Sequence, residues 1–273
     1  MVQLTDDCFA HGGRLMRTDE ALALLTTRLS RITEDETCPL ADALGRVLTE
    51  DILSAHDVPP RANAAVDGYA LRFEDLRADA ATQLPVEGRS AAGHPLTTAV
   101  ARGTAVRIFT GAVVPEGLDT VVMQEDCKVD AGAGTVEVPP GLRRGANYRS
   151  AGEDMTRGDL ALTAGQRLRP QDLGLAAAAG RKDLLVAKPL RVALFSTGDE
   201  LREPGEALPA GAIYDSNRYT LMGLLTGLGC RVGDLGILPD KAGKVTAALE
   251  AAAAAHDVII TSGGVSVGEE DHV

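Results

Sequence analysis

A chain of 273 residues, 45% of them hydrophobic and with a mean hydropathy near zero, has enough apolar side chains for two or three packed domains. Its net charge of −12, its 3% aromatic content and its lack of tryptophan argue against a nucleic-acid surface, which needs a basic face and stacking rings. No apolar run approaches the roughly 20 residues that cross a bilayer, and residues 1–13 have neither the basic start nor the apolar core of a secretory leader, so a cytoplasmic protein is expected.

The first predicted element is a helix over residues 18–30. Thr18 is its expected cap, Asp19 and Glu20 suit its positive end, and Leu22, Leu25 and Leu29 form one apolar side. Pro39 is read as opening a second helix over 40–48, with Leu44, Val47 and Leu48 as its stripe. Residues 49–55 read as a strand, ended by Pro59 and Pro60. From 61 to 140 helical periodicity fades, and short β-rich runs lie between Gly/Pro turns, at 104–110, 120–124 and 135–138. This pattern predicts a small β domain. Residues 145–168 are mixed. A helix is expected over 171–179, behind Pro170 at its start, and 181–189 reads as a link.

From Arg191 onward the pattern turns clearly α/β. Strands are predicted at 191–195, 231–238 and 257–261, alternating with helices over 217–228 and around Val245, Ala248, Leu249 and Ala252. Asp215 or Ser216 is the expected cap of the first of these helices. Strand–helix–strand–helix–strand implies a parallel sheet with right-handed crossovers. These changes of pattern cut the chain near residues 60, 140 and 185, with a small β domain at 61–140 and an α/β domain at 186–273. Three strands are few for such a sheet, and the Gly/Ser loop at its end is expected to lead into a helix beyond Val273.

The candidate chemistry gathers at strand ends. Open α/β sheets bind ligands at the carboxyl ends of their strands. Three loops lie there: S-T-G-D-E at 196–200, L-P-D at 238–240 and T-S-G-G-V-S-V-G-E-E-D at 261–271. Glu200, Asp240 and Asp271 would then share a crevice, and clustered carboxylates suit Mg²⁺ and a phosphate-bearing substrate. The bland alternatives are that Asp240 caps its helix, that Glu200 is a surface charge and that the Gly-Gly loop is only a turn. The loop has neither G-K-S/T nor G-x-G-x-x-G. In the β domain the Asp67–Gly68 pair reads equally as a hairpin turn. Arg143, Arg144 and Arg149 are either solvated surface charges or a receiver for an anionic small molecule. The four cysteines form no C-x-x-C pair and are expected as free thiols. The five histidines are too scattered for a zinc site.

A-V-D-G-Y-A (65–70), R-I-F-T-G-A-V-V-P-E-G-L-D-T-V-V-M-Q-E (107–125), G-A-N-Y-R-S-A-G-E-D (145–154), V-A-L-F-S-T-G-D-E-L (192–201), I-Y-D-S-N-R (213–218) and T-S-G-G-V-S-V-G-E-E-D (261–271) follow one another in this order. Together they closely resemble the molybdopterin molybdenumtransferases, the MoeA proteins, which are related to the E domain of gephyrin. The resemblance runs from about Leu15 to the last residue. It implies a multi-domain α/β plus β fold: a MogA-like parallel, molybdopterin-binding α/β domain (186–273), a small β domain (61–140) and an elongated mixed domain made of 1–60 with 141–185. It implies insertion of molybdenum from molybdate into adenylylated molybdopterin bound with Mg²⁺, with release of AMP. Matched motif by motif, the functional positions are Asp67, Thr110, Asp154, Glu200 and Asp240. Ser262, Gly263, Gly264, Ser266, Gly268 and Asp271 lie in the loop that holds the pterin or phosphate end. Glu200, Asp240 and Asp271 would take the metal. The resemblance also implies a homodimer whose cleft joins the β domain of one subunit to the α/β domain of the other. Contact with the molybdopterin adenylyltransferase is a further implied partnership, and a gephyrin-type scaffold is the alternative role. Val66 stands where the family usually has Met. The family's K-P-G-K-P stretch, P-G-N-P loop and C-terminal β domain are expected to lie beyond this sequence.

Overall fold

The computed structural model describes residues 16–263. The chain divides into two compact units, one formed by Asp35–Ala187 and the other by the described parts of Met1–Glu34 and Lys188–Val273. The fold is multi-domain, α/β plus β. In chain order it runs α1 (Thr18–Arg28), β1 (Asp35–Pro39), β2 (Ile52–Leu53), β3 (Asn63–Ala64), β4 (Gly68–Leu71), β5 (Thr82–Ser90), β6 (Ala105–Ile108), β7 (Thr120–Met123), β8 (Lys128–Asp130), β9 (Thr135–Val138), β10 (Tyr148–Arg149), β11 (Leu160–Leu162), α2 (Pro170–Ala178) and β12 (Asp183–Ala187). The α/β part adds β13 (Arg191–Thr197), β14 (Leu201–Arg202), β15 (Ile213–Tyr214), α3 (Ser216–Gly227), β16 (Arg231–Leu238), α4 (Ala242–Ala255) and β17 (Val258–Ser262).

The Asp35–Ala187 unit holds a six-stranded mixed sheet in the order β7-β4-β6-β5-β9-β8, in which only β5 and β6 are parallel neighbours. Alternation along each strand sends side chains to two apolar layers. Ala70, Val106, Ile108 and Val121 fill one, while Tyr69, Leu71, Ala105 and Val122 fill the other. All four residues of β4 are buried as a result. Asp67 and Gly68 do not form the two-residue hairpin turn that the sequence also allows. β3 pairs with β10, and Gly68 opens β4 inside the sheet. A Cβ on Gly68 would stand 1.8 Å from the Val122 carbonyl oxygen, so the close approach of β7 requires glycine here.

A second core in the same unit gathers Leu48, Ile52, Leu162, Leu168, Leu184 and Val186. It accounts for two departures from the sequence reading. The helix expected over 40–48 shrinks to one 3₁₀ turn at Leu40–Asp42, because tertiary partners claim the backbone: Leu48 donates to the Gln166 carbonyl at 2.9 Å and bridges to Val186. The expected link over 181–189 is the strand β12. Its alternating Leu184 and Val186 are buried against β1 in antiparallel register. Pro170 does sit in the first turn of α2, where its missing N–H costs nothing.

In the other unit, α1 forms as expected, but Arg17 precedes it as N-cap and its backbone N–H donates to Glu20. Its apolar side is not buried within this unit: Leu22, Leu25 and Leu29 are 59%, 50% and 73% exposed. The parallel sheet runs β16-β13-β17 with β13 in the centre, and every residue of β13 from Val192 to Thr197 is buried. Val192 and Leu194 pack with Leu225 of α3. Asp215 caps α3 through the Arg218 N–H at 3.2 Å, as the sequence indicates.

The strand starts are fixed by charge. Asp257 receives the Arg191 backbone N–H at 2.9 Å and its guanidinium at 2.6 Å, which sets the register of β13 against β17. The guanidinium bond, then the backbone bond, holds the Asp257 carboxyl down at about 2. A carboxyl depressed in the folded state stabilises the fold above its unfolded value of about 4 and loses that contribution as pH falls toward 2. Asp257→Asn is therefore expected to unfold at lower urea than the parent at neutral pH, with the gap closing below about pH 4 and vanishing near pH 2. Urea midpoints across that range check it; a gap that stays constant contradicts it.

Candidate functional site

The register of the parallel sheet sets the starts of all three candidate loops along one edge, that of β13 between those of β16 and β17. Thr197 of β13 is in register with Leu238 of β16, and Ser196 with Ser262 of β17. A cavity of about 180 Å³ opens at these carboxyl ends. Its lining includes Thr197, Glu200, Tyr214, Asn217, Ser262 and Gly263. Gly263 has φ +96°, and a Cβ there would stand 2.5 Å from the Thr197 carbonyl oxygen, so no other residue lets the two strand ends come this close.

Three hydroxyls at these strand ends, Ser196 Oγ, Thr197 Oγ1 and Thr261 Oγ1, are buried without a hydrogen-bond partner. Leaving a buried hydroxyl unpaired costs about 1–3 kcal/mol. Thr197, 6% exposed, is the one that also lines the cavity. An unpaired donor on a cavity wall is poised for a ligand oxygen.

Asp240 does not cap α4. Lys241 precedes that helix, and no side chain caps it. The Asp240 carboxylate instead receives the Asp199 backbone N–H at 3.2 Å, tying the β16 loop to the loop that carries Glu200. Glu200 lies on the cavity wall, and its carbonyl receives Ile213 N–H at 2.9 Å. Among the described residues no three His, Cys, Asp or Glu side chains gather as a metal site. Mg²⁺ often takes only one or two protein carboxylates, completing its shell with waters and substrate phosphate, so the Glu200 carboxylate on the cavity wall suits that ion by its chemistry, whereas Asp240 is not among the lining residues. Gly264, Ser266, Gly268 and Asp271 lie outside the described residues.

The sequence reading assigned no role to Arg218, which is 2% exposed. It is bonded to Asp215 at 2.9 Å, to Asp234 and to Glu203, and Tyr219 Oη also donates to Glu203. Burial opposes its charge, but the bonds to Asp234 and Asp215 outweigh that and raise its pKa. This hub anchors the Tyr214–Asn217 wall of the cavity. The D-x-x-R spacing at the start of α3 was its signal in the sequence.

In the Asp35–Ala187 unit, Asp67 and Thr110 come together. Asp67 Oδ1 receives both the Thr110 N–H at 2.8 Å and its hydroxyl at 2.7 Å. The backbone bond, then the hydroxyl bond, lowers the Asp67 pKa. Asp154 is not bonded to this pair. It accepts from Arg149 at 2.7 Å and lines a separate concavity of about 430 Å³ with Val58, Met155 and Asp159. Of the three arginines considered as an anion receiver, Arg144 pairs with Glu74 and Arg149 with Glu153 and Asp154. Cys38, Cys127 and Cys230 are unpaired, and burial pushes the Cys127 thiol up to about 11.

Two family models match successive parts of the chain. Residues 16–180 match the MoeA N-terminal region (domains I and II), and residues 193–273 match a probable molybdopterin binding domain. A molybdopterin molybdenumtransferase of Haemophilus influenzae is 41% identical over 94% of this chain and 63% of its own length. One from a Nostoc species is 36% identical over 91% of this chain and 57% of its own. The crystal structure of a molybdopterin biosynthesis MoeA protein from Pyrococcus horikoshii superposes with a TM-score of 0.83 at 35% identity, covering 92% of this chain and 67% of that one. The chain belongs to the MoeA family. It spans about three fifths of the length of these curated relatives.

Replacing the unpaired hydroxyl separates its ligand role from its structural one. Thr197→Val keeps the shape and removes the buried donor, so it is expected to stabilise the unit by about 1 kcal/mol in urea unfolding. A loss of stability instead would mean that the hydroxyl has a partner within the fold.

Proposed function

We propose that this chain acts in molybdenum cofactor biosynthesis as a molybdopterin molybdenumtransferase, placing molybdenum from molybdate into adenylylated molybdopterin and releasing AMP. The observation that carries this reading is the cavity at the carboxyl ends of β13 and β17, with the unpaired Thr197 hydroxyl on its wall, in a chain of the MoeA family. Thr197 and Ser262 would donate to the phosphate end of the substrate, joined by the backbone N–H groups of the loop that carries Gly264, Ser266 and Gly268. Backbone donors at such a turn favour anions without any net positive charge on the chain. Glu200 and Asp240, with Asp271, would hold Mg²⁺, which supplies charge neutralisation at the phosphate. The same carboxylates would orient the water that cleaves the adenylate. Asp67, Thr110 and Asp154 are the working positions offered by the remaining domains, 1–60 with 141–185 and 61–140.

The reading extends to assembly and location. The protein would work as a cytoplasmic homodimer and receive its substrate from the molybdopterin adenylyltransferase. No helix among the described residues is long and apolar enough to cross a membrane.

Molybdate-dependent release of AMP from adenylylated molybdopterin, abolished by chelating Mg²⁺, is the expected outcome. Binding without turnover would favour a gephyrin-type scaffold. Asp240→Ala is expected to cut turnover about a hundredfold, the size typical of a positioned acid–base group, with little change in Tm. A fall in Tm with unchanged turnover per folded molecule would return Asp240 to a purely structural role.

A further inference from the structure

A ladder of alternating rings and cations crosses the six-stranded sheet beside Asp67. Tyr69 of β4 is in register with Arg107 of β6, which is in register with Arg89 of β5. The Arg107 guanidinium lies 5.1 Å from the Tyr69 ring centroid and 4.6 Å from that of Phe109. The Arg89 guanidinium lies 4.6 Å from the same Phe109 centroid. Tyr69 is buried, Arg107 and Phe109 are half-buried, and Arg89 is exposed, so the ladder climbs from the core to the solvent.

Its inner rungs are fixed. Arg107 donates to the Gly68 carbonyl at 3.0 Å and to Gln124 Oε1 at 2.5 Å, and the Gln124 N–H donates to the Asp67 carbonyl at 3.1 Å. Neither Arg89 nor Arg107 has a carboxylate within salt-bridge distance among the described residues, although the chain has a large excess of acidic groups. The outer face of Arg89 is thus a planar cation backed by a ring, with no partner of its own. One residue along from Phe109, Thr110 occupies only Oδ1 of Asp67, and Oδ2 takes no hydrogen bond among the described residues.

We propose that the end of this ladder, the Arg89 guanidinium on Phe109, one residue along the chain from the Thr110 that holds Asp67, is the seat of a planar heterocycle bearing an amino group. Guanidinium planes stack on flat π systems, and a carboxylate oxygen accepts from a ring N–H or amino group. The charge balance favours a neutral ring over an oxyanion. Arg107 acts on Asp67 by charge, and Glu125 is joined to Arg107 through Gln124, so Arg89 and Arg107 are balanced by two carboxylates and the patch carries little net positive charge. The inference rests on the proposed function, whose substrate has two rings of this kind, a pterin and an adenine. It assigns a ring end of that substrate to the Asp67–Thr110 face.

Direct binding tests it without turnover. The 273-residue chain is titrated with free 2-amino-4-oxopteridine, read by its fluorescence, and separately with AMP, read by calorimetry. Arg89→Met and Phe109→Leu, one exposed and the other half-buried, are expected to weaken pteridine binding about tenfold, the scale of one lost stacking contact, and to leave AMP binding unchanged. Asp67→Asn should weaken it as well. If the variants weaken AMP binding instead, the seat stands with adenine as its occupant. Unchanged affinity for both, or no binding of either ring by the parent chain, overturns it. A chain that binds the pteridine through Arg89 but releases no AMP retains this seat and refutes the transfer reaction.

Discussion

The α/β unit depends on how closely two parallel strands approach at their carboxyl ends. β13 and β17 are pinned at their starts by Arg191 and Asp257 and run in register to Ser196 and Ser262. At the far end Gly263 turns with positive φ against the Thr197 carbonyl, where a Cβ would be only 2.5 Å away. That contact brings the Ser262–Gly263 turn and the Thr197–Glu200 loop to the two sides of one cavity. The other features follow from it. The Arg218 hub holds the third wall, and Asp240 ties the neighbouring loop to Asp199.

The cavity combines a costly arrangement with a clear use. Three hydroxyls are withdrawn from water at the strand ends and given no partner in the fold. Each is destabilising by itself, and a ligand oxygen would relieve Thr197 directly. The Asp67–Thr110 pair is built the opposite way. Both donors of Thr110 converge on a single carboxylate oxygen, so that group is already ordered and ionised, with one oxygen left to offer.

Much of this was legible in the chain itself. The strand–helix alternation after Arg191 gave the parallel sheet, because buried parallel strands are continuous apolar runs and the helices between them carry a regular stripe. The Asp215 cap and Pro170 at the start of α2 follow from local chemistry alone. Where tertiary partners decide, local reading failed. Val47 and Leu48 fit a helical stripe but are claimed by Arg167 and Val186 as β-bridges. Gly68 looked like a turn glycine and is instead a close-packing glycine inside a sheet. The helix-capping reading of Asp240 failed because the Asp199 N–H, distant in sequence, takes its carboxylate. Thr197 and the Tyr69–Arg107–Phe109–Arg89 ladder depend on strand register, which spacing along one segment does not reveal.

The contact between Gly263 and Thr197 forms the cavity in which phosphate binding is proposed. Calorimetric titration of Gly263→Ala with AMP tests it most directly, with circular dichroism to verify that the sheet persists. A variant that keeps its secondary structure but no longer binds AMP is the predicted result. AMP binding as tight as that of the parent chain would contradict the account.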